Sequence, residues 1–312
     1  MFLFLIHLSN TNSMKRLLVI IAIPMLLISC TKKSPDQFSF AFLTDIHITY
    51  DRSAPEGFRK AIDTVNILNP DFVITGGDLV MDALDASYEG ADSLYDLYLE
   101  MEKEFKMPVY NTIGNHEHFG IYRRNDIDTN HTEYDNRMFE HRIGKRNYSF
   151  DYKGWHFMIL DAVSITKDRD YIGLIEDDQI EWIKSDLQKI DKKTPIAISV
   201  HIPFITSQTQ LQDGSLAATP AYLVINNARD VLLLFWEYNL KLVLQGHLHF
   251  LEDIYVNEDV HFITGGAVSG RWWNNKPTDY PEEGFLLVNV KGDDIEWDYV
   301  DYGWVPPHIK VE

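Results

Sequence analysis

The sequence has almost no cysteine. Its 312 residues contain one, Cys30, so no internal disulfide can form, whichever compartment the chain reaches. A basic block is also missing, with 28 Lys and Arg against 47 Asp and Glu and a formal net charge of −19. Phosphate backbones are bound by clustered Lys and Arg, so nucleic acid is not expected as a partner, and a metal-dependent nuclease is disfavoured. The apolar run from Leu17 to Ile28 is too short to cross a bilayer as a helix. No internal repeat and no linker break the chain after Phe38. What is present is a globular balance, 45% hydrophobic and 24% charged, enough to core one large α/β domain. The excess of carboxylates keeps such a chain soluble and can hold cations.

The N-terminus reads as an address. Met14-Lys15-Arg16 is a short basic start, followed by the apolar run and then Ser29 and Cys30. Residues 1–29 fit a signal peptide. Leu27-Ile28-Ser29-Cys30 resembles the lipobox of bacterial lipoproteins, in which the cysteine becomes the lipidated first residue. The alternative is an uncleaved anchor with an incidental cysteine. Residues 1–13 fit neither pattern, which is consistent with a start at Met14. Export into a bacterial cell envelope is expected, with a lipid anchor at Cys30 as the only membrane attachment. A polar tether over residues 30–37 and a folded domain over 38–312 follow. Losing Lys15 and Arg16 takes the formal charge from −19 to −21.

Phe38 to Leu43 reads as a buried strand ending in Asp45-Ile46-His47, two residues that leave one face if the backbone is extended. Pro55 to Leu68 has helical spacing, with the proline suited to the first turn. Asp71 to Asp78 is a strand running into two glycines with an aspartate at the tip. Strand, helix, strand gives a parallel sheet with Asp45 and Asp78 beyond neighbouring strand ends, where α/β sheets bind ligands. Ala86 to Phe105 is a second helix, whose Glu89, Asp92, Asp96, Glu100 and Glu104 are read as a solvated face.

Met107 to Thr112 is a strand entering the turn Ile113-Gly114-Asn115-His116-Glu117-His118. On extended backbone two successive residues point apart. Asn115 can therefore offer its amide oxygen to a metal while His116 projects toward what the metal binds. The plainer alternative is a turn with a surface histidine. Residues 119–146 lack periodicity and carry Arg123, Arg124, Arg137, Arg142 and Arg146. They form either a phosphate-facing lid or ion pairs with Asp126, Asp128, Glu133 and Asp135.

Further on, a hairpin turns at Lys153-Gly154, and Glu176 to Ile190 is a helix. Pro195 to Val200 is a buried strand that ends at His201. Val224 to Tyr238 is read as a helix, after which Leu240 to Leu244 is a strand ending Gly246-His247-Leu248-His249. The segments 254–256, 261–264, 285–290 and 295–300 are read together as a second sheet of antiparallel strands.

Five strand ends thus carry Asp45 and His47, Asp78, Asn115 and His116, His201, and His247 and His249. In this order, with Gly77-Asp78, Gly114-Asn115-His116-Glu117 and Gly246-His247-Leu248-His249 intact, the set resembles the calcineurin-like metallophosphoesterase superfamily. The resemblance implies a four-layer αββα sandwich of two mixed sheets flanked by helices, with a metal site at the C-terminal strand ends. One ion would be held by Asp45, His47, Asp78 and His249, the other by Asp78, Asn115, His201 and His247. Mixed N and O ligands suit Mn, Fe, Zn or Co. The implied reaction is hydrolysis of a small phosphomonoester or phosphodiester by in-line attack of a metal-bridging hydroxide, with His116 facing the substrate. Met81 stands where the purple acid phosphatases place a tyrosine ligand, so no coloured ferric site is expected. Asp-x-His at the first motif is closer to bacterial phosphodiesterases and class III cyclic-nucleotide phosphodiesterases. A non-catalytic scaffold of the same fold is the competing reading. Arg271, Trp272 and Trp273, in a glycine-rich stretch, are candidates for gripping a phosphate and stacking on a base or sugar; the alternative puts the tryptophans in the core.

Overall fold

The computed structural model describes residues 37–274 and 282–307. Cys30, the signal segment and nearly all of the tether lie outside the described residues.

Strand β1 (Gln37–Leu43) shows how the layers form. Its residues alternate, and a period of two sends neighbouring side chains to opposite faces of the sheet. Phe38, Phe40 and Phe42 enter one apolar layer, while Ala41 and Leu43 enter another. Helix α1 (Ala54–Leu68) follows, with Pro55 in its first turn, and then β2 (Phe72–Thr75). Helix α2 (Tyr88–Glu102) starts at Ser87, whose side chain accepts the Gly90 N–H. Strand β3 (Val109–Tyr110) completes a parallel run of β1, β2 and β3.

The chain continues through α3 (Arg137–Arg142) and the hairpin of β4 (Tyr148–Tyr152) and β5 (Trp155–Leu160). The short pair β6 (Val163–Ile165) and β7 (Tyr171–Gly173) precedes α4 (Asp177–Leu187) and β8 (Pro195–Val200). Two short helices, α5 (Gln208–Asp213) and α6 (Ala228–Leu232), lead to β9 (Asn239–Gln245). Strands β10 (Leu251–Val256), β11 (Val260–Gly265), β12 (Phe285–Lys291) and β13 (Asp294–Val300) finish the fold.

Two mixed sheets result, in the orders β13-β12-β1-β2-β3 and β10-β11-β9-β8-β5-β4. Between them lies an aromatic layer in which Phe38, Phe40, Phe42 and Phe72 meet Trp155, Phe157, Leu242 and Leu244. Burying each such side chain contributes roughly 1.5–3 kcal/mol. Helices α1 and α2 cover the far face of the first sheet, and α4 and α6 that of the second. The expected layered sandwich is therefore present.

Three expectations change. The last four strands do not form one sheet: β10 and β11 extend the β9 sheet, while β12 and β13 extend the β1 sheet. Alternation identifies a strand but carries no information about its remote partner. The helix over 224–238 shrinks to α6 and one 3-10 turn at Leu233–Phe235. Asn226 and Asn227 donate their side-chain amides to the carbonyls of Gly173 and Ile175, holding that stretch out of the helix. The strand after Met107 keeps only two residues.

Candidate metal centre

The loops after β1, β2, β3, β8 and β9 come from both sheets and meet at the C-terminal strand ends. Their joining begins in the backbone. Asp45 N–H donates to the Gly77 carbonyl at 3.0 Å and His47 N–H to the Asp78 carbonyl at 2.8 Å. Gly246 lies so close to the first loop that a Cβ there would stand 2.0 Å from Thr44 Oγ1. Gly114 is equally constrained, since its Cβ would lie 2.3 Å from the Asp78 nitrogen.

Asp45 and His47 do converge, as do His247 and His249, but not on extended backbone. Their φ values are 55°, 48°, 72° and 45°, and Asp78 has 52°. Non-glycine residues in the left-handed region are uncommon and cluster where a site holds strain. Asn115 and His116 likewise lie on a 3-10 turn, Asn115–Glu117. Spacing brought the right residues together, while the conformation that aims them is set by contacts between loops.

The donors fall into overlapping sets. Asp45, His47 and His249 offer atoms within 4.8 Å of one another, as do Asp78, His201 and His247, and also His47, Asp78 and His116. Asp78 Oδ2 is 3.5 Å from His47 Nε2 and 3.2 Å from His201 Nε2. Asn115 Oδ1 is 3.1 Å from His201 Nε2. Outer partners fix the rings. His201 Nδ1–H donates to the Gly76 carbonyl at 2.8 Å, His249 Nδ1–H to Gly270 at 2.5 Å, and His247 Nε2–H to Tyr222 at 2.9 Å. Each leaves its other nitrogen for the centre. His47 Nε2 faces His249 Nε2 across 3.0 Å, and His47 Nδ1 is buried without a hydrogen-bond partner. A cation among these converging nitrogen and carboxylate donors fits the arrangement.

The charged groups of the centre influence one another strongly. Burial alone would raise the Asp78 pKa, but His201 and His116 more than offset it and hold it well below the usual range. Burial would lower that of His201, yet Asp78 pushes it up to about 9. Burial and the His201 charge take His247 down to about 4. His47 is also held low, by burial and then His116.

His116 stands at the edge of the centre, 22% exposed, with Nε2 3.8 Å from Asp78 Oδ2. Its Nδ1–H donates to the Met81 carbonyl, and its backbone N–H to Asp78 Oδ1 at 3.0 Å.

Three residues without an assigned role in the sequence reading matter here. The buried Glu117 carboxylate accepts N–H bonds from Asp78, Leu79, Val80 and Gly114 at 2.9, 2.7, 3.0 and 2.7 Å. Its place beside His116 was the only available signal. His118 is buried between Asp135, 2.6 Å from its Nδ1, and Asp161, 3.8 Å from its Nε2. Tyr171 packs edge-on to His247, with centroids 6.1 Å apart. Burial and the Asp78 charge raise the Tyr171 hydroxyl, which stays neutral. Nothing in the local sequence points to it.

The tryptophans divide. Trp273 is fully buried and donates Nε1–H to the His47 carbonyl at 3.0 Å, so its assignment as a substrate contact is corrected to the core. Trp272 is 45% exposed and lies 4.7 Å from the His249 ring. It lines a pocket of about 270 Å³ together with Arg271 and His249.

Four of the five arginines of 119–146 are ion-paired, though not with the expected partners, while Arg137 donates to the Tyr134 and Thr129 carbonyls. Arg124 meets Asp85, Arg142 meets Asp92 and Asp96, and Arg146 meets Asp161 and Asp178. Asp92 and Asp96 on α2 are therefore not simply solvated. His141, His156 and His261 pair with Glu133, Asp186 and Asp253, away from the centre.

Among solved structures, a dimetal phosphatase from Danio rerio is similar, with TM-score 0.57 at 16% identity over 85% of this chain and 99% of that one. GAP50, the anchor in the inner membrane complex of Plasmodium, is similar with TM-score 0.52 at 17% identity, covering 85% of each chain. At such identities the likeness is one of fold. None of the curated proteins matches the chain. The pattern of the calcineurin-like phosphoesterases matches residues 38–251, a span that begins in β1 and takes in every histidine and carboxylate of the centre. The chain belongs to the calcineurin-like phosphoesterases and is a metal-dependent hydrolase of phosphoesters.

Proposed function

We propose that the chain hydrolyses a small phosphoester at a centre of two metal ions, with His116 as the general acid. The observation that carries this reading is Asp78, whose Oδ2 lies within 3.5 Å of both His47 and His201. One ion would be held by Asp45, His47, Asp78 and His249, and the other by Asp78, Asn115, His201 and His247. Mn, Fe, Zn and Co all suit this donor set. When bound, such ions acidify water and neutralise phosphoryl charge.

The chain's own residues supply the remainder. With Nδ1–H committed to Met81, the His116 Nε2 is the atom that faces substrate. Protonated there, it gives its proton to the leaving oxygen as the ester P–O bond breaks. Tyr171 keeps its proton and can donate a hydrogen bond to a phosphoryl oxygen. Trp272 and Arg271 border the side on which a leaving group would lie. We also propose export and lipid anchoring at Cys30, on the strength of Leu27-Ile28-Ser29-Cys30.

The test is His116→Ala assayed on alkyl and nitrophenyl esters. Activity on alkyl esters should fall by roughly 10²–10⁴-fold, and much less on nitrophenyl esters, whose leaving group needs no proton. Metal content should be unchanged. Lost metal would make His116 a ligand, and undiminished alkyl-ester turnover would remove it from the mechanism.

A further inference from the structure

We infer that Arg169 is a positioning residue, holding the β6–β7 hairpin so that the Tyr171 hydroxyl is presented to the phosphoryl group. The inference rests on the phosphoester reading and names the element that supports it.

The hairpin needs outside support. Strands β6 and β7 form a two-stranded sheet of their own, with three paired residues on each strand. Such a pair is marginally stable at best in water. Its β7 end is fastened to the loop that carries Tyr222. There Gly173 N–H donates to the Ala221 carbonyl at 2.9 Å, and Asn226 N–H returns a bond to Gly173 at 2.8 Å. The approach is close enough that a Cβ on Gly173 would lie 2.3 Å from the Val224 oxygen. Tyr222 in turn holds His247 through its carbonyl. Tyr171, two residues before Gly173, packs edge-on to the His247 ring and lies in the field of Asp78. Among the described residues its hydroxyl has no hydrogen-bond partner, so its proton is available to a ligand.

The tip of the hairpin is fastened by two arginines. Arg169 has φ of 60°, a conformation uncommon outside glycine. Its guanidinium donates to three successive carbonyls, Gly120 at 2.6 Å, Ile121 at 2.8 Å and Tyr122 at 3.4 Å, and lies 5.5 Å above the Tyr134 ring. A rigid fork of donors can span such a run, which a lysine cannot. Arg123 grips in the other direction, donating to the Lys167 and Asp168 carbonyls at 2.9 and 3.0 Å. The chain has 47 carboxylates, yet among the described residues Arg169 forms no ion pair. Its charge is spent on backbone, where such bonds are stronger than neutral ones. The gripped segment is itself tied to the His116 turn, because Ala83 N–H donates to the His116 carbonyl and Gly120 N–H to Ala83, both at 2.9 Å. The hairpin is thus fastened at one end beside His116 and at the other beside His247, and it carries Tyr171.

The experiment is a double-mutant cycle on the metal-loaded protein, with nitrophenyl phosphate and bis(nitrophenyl) phosphate as substrates. Tyr171→Phe should lower kcat by about 10²-fold, the scale for one donor to a transition-state oxygen. Arg169→Ala displaces the same hydroxyl and should cost about 10- to 10²-fold in kcat, with KM little changed. The double variant should be no slower than Tyr171→Phe alone. Arg123→Ala, which releases the more exposed half of the contact, should show a smaller loss that also vanishes in the Tyr171→Phe background, and it carries the test if Arg169→Ala does not fold. Metal content should be equal in all variants. Undiminished turnover in Arg169→Ala, losses that multiply in the double variant, or loss of metal would overturn the inference while leaving the hydrolase reading intact. A wild type that cleaves no phosphoester with any metal would end both.

Discussion

Glu117 and His118 show what single residues contribute around the centre. Four backbone amides from two loops converge on the Glu117 carboxylate. Glu117→Gln keeps the shape but turns an NH₂ toward donors, leaving buried N–H groups unpaired. A loss of about 2–3 kcal/mol in stability is expected, together with weaker metal retention by elemental analysis. His118 allows a pH test. Burial opposes its charge, but Asp135 and Asp161 win and push it up to about 10 from an ordinary 6.5. A raised folded pKa means its stabilisation is complete below 6.5 and fades as pH climbs through 10. His118→Gln should therefore cost about 3 kcal/mol in urea unfolding at pH 6 and little near pH 10. An equal cost at both would refute the charged pair. Asp78→Asn, which removes the charge shared by both proposed ions, should lower metal content more than loss of any other ligand. The ligand residues were legible because each ends an apolar strand. Glu117, His118 and Tyr171 were not, since their roles depend on partners as remote as Asp161 and His247.

At the level of elements, α1 and the loop carrying Trp273 form one unit. Gly57, in the first turn of α1, faces the Trp273 indole so closely that a Cβ would lie 2.4 Å from its Cζ3. Glycine to alanine inside a helix ordinarily gains about 1 kcal/mol. Here Gly57→Ala should destabilise, because the displaced indole also holds the His47 carbonyl. A raised melting temperature would contradict that packing. Helix α1, the β4–β5 hairpin and strands β1, β2, β8 and β9 could be read locally, because their periodicity and turn residues lie within one short window. The pairing of β12 with β1, the shortened α6 and the left-handed turns at Asp45, His47 and Asp78 could not. Each is decided by a neighbour distant in sequence.

For the whole molecule, the segment ahead of β1 governs the proposed location. Among the described residues no helix is long and apolar enough to cross a membrane. On the proposed reading, attachment is through lipid at Cys30. Cys30→Ser should abolish labelling by fatty acid and leave precursor unprocessed; a labelled variant would exclude the anchor. The order of the first sheet carries another consequence. Strand β1 starts at Gln37, yet its antiparallel neighbour runs from Phe285 to Lys291. At 5–20 residues per second, the ribosome needs roughly ten seconds to a minute to make the intervening chain. Through that interval the phenylalanine-rich strand has one bare edge, the kind that recruits other chains. A protein cut off before Phe285 should aggregate or bind hydrophobic dyes, even with every ligand of the centre in place. Synthesis must therefore outrun self-association, or a holding chaperone must cover β1 until its last neighbour emerges.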